Sequence, residues 1–246
     1  MFDFRGITAA AIAIVMAAAP ASATFVWPSN DEVTISAGNA GFQWVVDFNS
    51  ALAGSGTTTA VSALGNFTFT GVSNNGLTYN FNYSLLNDSA NFSRLRAFSF
   101  DTTGTVNTSA TNSTGALSYE YYNQSWPYIG TQDICFAAGS SGCTAHSNSG
   151  ITSNPDLTGT GSFSVTFAQV MQAVTFDQFA VKFIDVSPTV NGQDWAIGIG
   201  QVTSMTNPQP ITAPEPETWM MLLGGFGLIG STLRRRNRSV TRLQAV

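Results

Sequence analysis

The residues best suited to chemistry are two cysteines and one histidine in the second half of the chain. Cys135 and Cys143 are the only cysteines in the sequence, and His146 is the only histidine. Two thiols and one imidazole are too few ligands for a structural zinc site, so no metal site is predicted here. The Ser/Asn-rich surroundings of His146 favour an exposed loop histidine. A Cys–His catalytic dyad is the alternative. In an exported chain the two cysteines predict a disulfide, which would contribute about 2.5 kcal/mol by closing its short loop.

Acidic residues are the second source of chemistry, but their spacing selects no site. Eleven Asp and Glu lie between positions 24 and 213, and no two are spaced so as to indicate a facing carboxylate pair. The chain contains no G-x-S-x-G, H-E-x-x-H, P-loop or dinucleotide pattern, and no EF-hand loop. We therefore expect no enzymatic activity and no cofactor. A structural calcium ion between loops and a secreted polysaccharide hydrolase are the alternatives left open.

An aromatic segment at residues 119–128 is the stretch that most resembles a binding site. Its tyrosines and tryptophan lie beside amide side chains. Aromatic rings can stack on sugar rings, and amides can form hydrogen bonds with sugar hydroxyls. The predicted glycan contacts are Tyr121, Tyr122, Trp126 and Tyr128, which would make the protein a carbohydrate-binding module on the cell surface. The alternative, which the pattern favours, is that several of these aromatic residues are core or edge residues of a sheet.

The elements that position these residues are predicted to be strands. Apolar and polar residues alternate in nine runs, separated by turns rich in Gly and Asn, and no run has a helical period. Asn75-Gly76 predicts a hairpin turn, and a change of apolar parity near Asp177 predicts a bulge. The fold class is all-β, with a single antiparallel, jelly-roll-like β-sandwich over residues 24–202. The nine runs are residues 43–48, 66–70, 77–83, 94–101, 116–122, 133–136, 161–167, 174–184 and 196–202.

The charge of the central region excludes one class of partner. Residues 24–213 contain eleven acidic residues and only three basic ones, Arg94, Arg96 and Lys182, for a net charge near −8. A nucleic-acid-binding protein needs a basic face to neutralise phosphates, so nucleic acid is not an expected partner. An anionic polysaccharide is disfavoured for the same reason unless a cation bridges the two.

The N-terminal residues 1–23 have the pattern of a secretory signal peptide. Arg5 supplies the positive charge, residues 7–19 form the apolar stretch, and Ala21 and Ala23 provide the small residues before the cut. Signal peptidase is thus an expected partner, and the mature chain would begin at Thr24. A retained N-terminal anchor is the alternative.

The C-terminal region combines a Pro-rich linker, a short motif, an apolar stretch and a basic cluster. The linker covers residues 203–213, the uncharged stretch covers residues 219–233, and residues 239–246 form the tail. As a helix the uncharged stretch spans about 22 Å, which is short for a bilayer core of about 30 Å. The basic residues predict a cytoplasmic C-terminus, with the helix in the inner membrane. The motif and cluster residues are Pro214, Glu215, Pro216, Trp219, Arg234, Arg235 and Arg236.

This C-terminal arrangement, residues 214–238, resembles a PEP-CTERM sorting signal of the PEPxxWA type, although Met220 stands where that type has alanine. The resemblance implies recognition by an exosortase, a membrane enzyme that cuts near the Pro-Glu-Pro. It also implies transfer to the envelope, surface or extracellular matrix of a Gram-negative bacterium. The expected role is then structural or adhesive, in the exopolysaccharide or biofilm matrix. A plain membrane anchor is the alternative.

A second resemblance concerns the central region. Residues 98–103, residues 133–136 with Cys143, and residues 174–183 are similar to the cistern group of PEP-CTERM proteins. This likeness implies no activity. It implies that the loop between the two cysteines is a structural feature.

Overall fold

The computed structural model describes residues 25–155 and 157–207. The predicted signal peptide, its cleavage residues Ala21, Ala23 and Thr24, the sorting motif and the predicted membrane helix lie outside these described residues.

The described chain forms thirteen strands and one short 3-10 turn, Asn74–Gly76. Most strands are long and alternate between buried and partly exposed positions, as the sequence predicts. The strands are β1 (Val33–Ser36), β2 (Gln43–Ala53), β3 (Gly56–Thr58), β4 (Ala63–Ser73), β5 (Thr78–Asn87), β6 (Phe92–Thr102), β7 (Asn112–Ser113), β8 (Tyr119–Trp126), β9 (Gly130–Ala137), β10 (Ile151–Thr152), β11 (Thr158–Thr166), β12 (Ala173–Ser187) and β13 (Ala196–Thr206).

All strands belong to one antiparallel sheet. Its hydrogen-bonded order is β7-β11-β5-β4-β2-β13-β12-β6-β9-β8, with β1 on β12, β10 on β6 and β3 on β2. The long path therefore ends in β7 and β8, while β2 and β13, from near the two ends of the described chain, are neighbours near its middle. The predicted all-β, antiparallel fold class is confirmed.

The sheet folds over so that its two halves face each other across an aromatic core. The rings of Phe81 on β5 and Phe176 on β12 lie 5.3 Å apart between centroids, although three strands separate them in the sheet. Phe163 on β11 and Phe136 on β9, from opposite ends of the sheet, lie 4.9 Å apart. These contacts place the main core between two layers of one continuous sheet.

Strand alternation explains which residues enter the core. On β5 the apolar residues Tyr79, Phe81 and Tyr83 are buried, while the intervening asparagines point away from the core. On β13 two glycines occupy the inward positions. A Cβ on Gly200 would lie 2.7 Å from the Cβ of Phe179 and from a methyl group of Val46, so glycine here allows β13 to pack closely against these residues.

Both local predictions of chain reversal and bulging are confirmed. Strands β4 and β5 form the predicted hairpin, and Asn75 and Gly76 adopt the positive φ angles of 55° and 87° that their turn requires. The register of β12 against β6 shifts between Asp177 and Ala180, where Gln178 has a φ of 53°. This bulge changes the face to which the β12 side chains point.

The structure also contains strands that the sequence did not predict. All nine predicted runs overlap strands, but β1, β3, β7 and β10 are additional, and each has four residues or fewer. Such short segments give too few alternations to be read from sequence. Strand β13 reaches Thr206, four residues into the predicted linker, because Met205 and Thr206 pair with Trp44 and Gln43 of β2.

A second, smaller apolar cluster lies on the outer face of the sheet. It includes Ala97 on β6, Cys135 on β9 and Ala180 on β12, all fully buried. Phe25 and Trp27, which precede β1, pack against it and cover part of it. This outer cluster positions the candidate site described next.

Candidate functional site

Three of the four predicted glycan-contact residues lie on β8. Trp126 is only 2% exposed and packs in the outer cluster, so its ring is not available to a ligand. Tyr121 and Tyr122 are half-buried, and the hydroxyl of Tyr121 donates a long hydrogen bond of 3.4 Å to the carbonyl of Gly139. The prediction that Trp126 contacts a glycan is therefore wrong, and the alternative, that it is a core residue of the sheet, is confirmed. Residues from distant parts of the chain belong to the same cluster and help to bury it.

Tyr128, the fourth predicted residue, lies in the turn between β8 and β9 and is 43% exposed. Its ring stacks on Trp195, with centroids 5.5 Å apart and planes at 17°. Its backbone has a φ of 71°, a conformation that costs a bulky residue of the order of 1–3 kcal/mol. The turn thus holds an exposed aromatic ring in place at an energetic cost.

A buried lysine lies beneath this aromatic pair. The Nζ atom of Lys182 lies 4.2 Å from the centroid of the Trp195 ring. Among the described residues, no carboxylate lies within ion-pair distance of this amine. Lys182 is 2% exposed, and burial lowers the pKa of its amine to about 8, while the charge of Asp194 opposes the shift. The cation–π contact gives the ammonium a partner in this dry setting.

Sequence reasoning missed Trp195 and Lys182 as members of this group. Trp195 lies just before β13, and Lys182 lies on β12, so both are far along the chain from Tyr128. Only the antiparallel pairing of β12 with β13 and β6 brings them together. No local spacing signals that arrangement.

The predicted disulfide is present between Cys135 and Cys143, whose Cα atoms lie 6.4 Å apart. The loop that it closes is also held by Arg96, a fully buried residue. Nη2 of Arg96 donates to the carbonyl of Gly139 at 2.9 Å and to Oγ of Ser141 at 3.0 Å. His146 lies beyond this loop and is exposed.

Three of the scattered acids come together at one end of β6, β9 and β12. Asp101 pairs in register with Asp177, and Oδ1 of Asp101 accepts a hydrogen bond of 2.8 Å from the backbone N–H of Asp133. Oδ2 of Asp133 in turn accepts one of 3.1 Å from the backbone N–H of Thr102. Each of these two carboxylates thus accepts a hydrogen bond from a backbone N–H group of the neighbouring strand.

The acids repel one another and are partly withdrawn from water. Burial raises the pKa of Asp101 to about 6, and the charges of Asp133 and Asp177 add to the shift. Burial also raises the pKa of Asp177, with repulsion from Asp31 and Glu32. A polar cleft of about 400 Å³ borders Asp133 and Thr102. Among the described residues, no three His, Cys, Asp or Glu side chains are placed to share a metal ion.

The residues predicted to direct export and sorting are outside the described part of the chain. They are Ala21, Ala23 and Thr24 near the start, and Pro214, Glu215, Pro216, Trp219, Arg234, Arg235 and Arg236 near the end. Within residues 25–155 and 157–207, no helix has the length and apolar character needed to cross a membrane.

Comparison with known proteins gives a match at the C-terminal end of the sequence. A family model described as the PEP-CTERM protein-sorting motif matches residues 212–237. Searches of curated proteins and of solved structures each return no match. The chain therefore carries a PEP-CTERM sorting motif, which implies an exported protein sorted to the cell surface with an exosortase as its processing partner. The likeness of the central region to the cistern group stays a prediction.

Proposed function

We propose, from the PEP-CTERM protein-sorting motif at residues 212–237, that this chain is a structural or adhesive protein of the exopolysaccharide matrix. Signal peptidase cuts it after Ala23, and an exosortase cuts it near Pro214-Glu215-Pro216. The membrane helix at residues 219–233 holds it in the inner membrane of a Gram-negative cell between the two cuts. The single observation that carries this proposal is the sorting motif.

The disulfide supports the exported location. Disulfides persist in oxidising compartments and are rare in the cytosol of most organisms. Cys135 and Cys143 are bonded and fully buried, and there is no free cysteine in the described residues. A domain built in this way is suited to the periplasm and the cell exterior.

The length of chain after β13 fits processing at the membrane. Residues 207–218 separate the end of β13 from the uncharged stretch, and twelve residues span at most roughly 43 Å when fully extended. The domain is therefore tethered within that distance of the membrane surface until the exosortase acts. The tether leaves the domain at the end of the sheet that carries Thr206, which pairs with Gln43.

The surface of the domain supports a matrix role. Strands β4, β5 and β11 contain no charged residue, and hydroxyl and amide residues oppose one another across them. Asn82, for example, pairs in register with Thr68 on one side and with Ser162 on the other. Such a surface can exchange hydrogen bonds with sugar hydroxyls without the desolvation cost of a charge.

A structural role also fits the acidic cluster better than catalysis does. Asp101 and Asp133 each accept a hydrogen bond from the backbone of a neighbouring strand. One oxygen of each carboxyl group is thereby engaged by the sheet, whereas hydrolysis of a glycoside requires two carboxyl groups that both face the scissile bond. We propose accordingly that the protein is not an enzyme and needs no cofactor.

Cell fractionation in the native host tests the proposal. We expect the wild-type chain in the washed matrix fraction. We also expect its release when a glycosidase degrades that matrix. A variant with Pro214, Glu215 and Pro216 all changed to Ala is expected to stay in the inner membrane. Wild-type protein that remains on cells stripped of polysaccharide would contradict the matrix role, and equal release of the variant would contradict the sorting step.

A further inference from the structure

A cleft of about 470 Å³ opens beside Tyr128 on the outer face of the domain. Phe25, Val26 and Leu52 form its apolar walls, while Ser55 and Thr57 bring hydroxyls to it. No charged side chain lines the cleft. Its volume is in the range of small-molecule sites, which typically combine apolar walls with a few polar groups.

Tyr128 is presented to this cleft by a rigid support. One face of its ring lies against Trp195, so the exposed 43% of the residue lies on the side away from that ring. Trp195 is fixed in turn over the buried ammonium of Lys182. The backbone of Tyr128 has a positive φ, a conformation that is found for a bulky residue only where the surrounding structure holds it.

The opposite wall is held to the same support. The loop between β12 and β13 carries both Trp195 and Asn191. Nδ2 of Asn191 donates a 3.0 Å hydrogen bond to the carbonyl of Ala53, next to the wall at residues 54–57. A Cβ on Gly54 would lie 2.8 Å from the carbonyl oxygen of Asn191, so this close approach depends on glycine. One loop therefore fixes both sides of the cleft before any ligand arrives.

The chemistry of the cleft selects a neutral, amphipathic ring as its occupant. A flat aromatic face matches the apolar C–H face of a pyranose, and hydroxyl groups match its rim. Charged ligands would lose hydration without finding an opposite charge in the lining. A purely hydrocarbon ligand would leave the hydroxyls of Ser55 and Thr57 without a role.

We propose that Tyr128 and the adjacent cleft bind a neutral sugar residue of a polysaccharide chain. This inference rests on the proposed function, because that function brings the domain to the exopolysaccharide. It places the sugar site at the turn after β8, with Trp195 as its support, and not at the buried Trp126. The site acts as an adhesive contact and performs no reaction on the sugar.

Binding measurements on the processed protein from the native host test this site. The probes are cellohexaose, maltohexaose and the neutral polysaccharide fraction of the host itself, titrated by calorimetry. The wild type is expected to bind at least one of them, and Tyr128→Ala is expected to weaken that binding tenfold or more. Tyr119→Ala is the matched control, because Tyr119 on β8 is also 43% exposed but does not line the cleft. Its affinity is expected to stay within twofold of the wild type.

A second variant distinguishes a loss of binding from a loss of folding. Ser55→Trp leaves Tyr128 in place and fills the cleft, so it is expected to abolish binding while the melting temperature stays near that of the wild type. Equal binding by the wild type, Tyr128→Ala and Ser55→Trp would overturn the proposal. So would the absence of wild-type binding to every neutral probe.

The two proposals fail in different ways. If sorting fails, the protein is recovered from the membrane fraction in detergent, and the same titrations still report on the cleft. If the protein reaches the matrix and Tyr128→Ala binds as the wild type does, the cleft proposal fails and the proposed function stands.

Discussion

Removal of the disulfide is the perturbation whose effect follows most directly from the structure. The bond joins Cys135 to Cys143, which are separated by eight positions. Closing so short a loop removes conformational entropy from the unfolded chain worth about 2.5 kcal/mol at 25 °C. Since a domain of this size loses about 2–4 °C of melting temperature per kcal/mol, we expect a loss of about 5–10 °C.

Both sulfur atoms belong to fully buried residues, so the bond cannot simply be reduced in the folded protein. A reductant added to the folded protein has little access to the bond, so the protein is unfolded in reductant and refolded with the thiols kept reduced. Thermal unfolding of this reduced form, followed by circular dichroism, is compared with that of the oxidised protein. The reduced form keeps both sulfurs, so the difference reports the cross-link and not a lost side chain.

The double variant Cys135→Ala with Cys143→Ala provides the control. It should melt at or somewhat below the temperature of the reduced wild type, because it also loses two buried sulfurs. Arg96 still holds Gly139 and Ser141 in both forms, so the native loop is expected to remain in place. A reduced protein that melts within 2 °C of the oxidised one would refute the loop-closure reasoning.

Three further changes test other parts of the account. Burial raises the pKa of Asp101 from 3.8 to about 6, so protonation of this group favours the folded state, with its full effect on stability below pH 3.8 and none once the pH has risen through 6. Asp101→Asn is therefore expected to raise the melting temperature at pH 7.5 and to lose that advantage at pH 4; an equal effect at both pH values would contradict the assignment. Gly200→Ala is expected to cost about 1–3 kcal/mol in denaturant unfolding, because a Cβ there would lie 2.7 Å from atoms of Phe179. Gly38→Ala is its control, with nothing within 4 Å of the added Cβ, and equal stability of the two variants would contradict the packing argument. Trp126→Ala is expected to destabilise the domain by about 3–5 kcal/mol because its ring is buried; an unchanged unfolding midpoint would show that the ring is not part of the core.

Much of the fold was predictable because strand alternation is a local signal. The run Tyr79, Phe81 and Tyr83 places every aromatic ring on one face, and the structure buries all three. The bulge at Gln178 was predictable for the same reason, since a single extra residue reverses the alternation on either side. Short strands such as β7 and β10 were not predicted, because two residues are too few to show an alternation of apolar and polar side chains.

The candidate site was only partly predictable because its members meet through tertiary contacts. Tyr128 was identified from the composition of its segment, but the same reasoning also selected Trp126, which the outer cluster buries. The burial of a face depends on which other segments cover it, here Phe25 and Trp27 from far along the chain. The role of Trp195 as a support has no signature in its own neighbourhood.

Sorting by an exosortase is tested by the intact mass of the protein recovered from the surface and medium of its native host. We predict a chain that begins at Thr24, ends near Pro214-Glu215-Pro216, and is two hydrogens lighter because of the Cys135–Cys143 bond. A chain that keeps the apolar stretch and the arginines would contradict sorting by an exosortase and would identify an ordinary membrane-anchored domain.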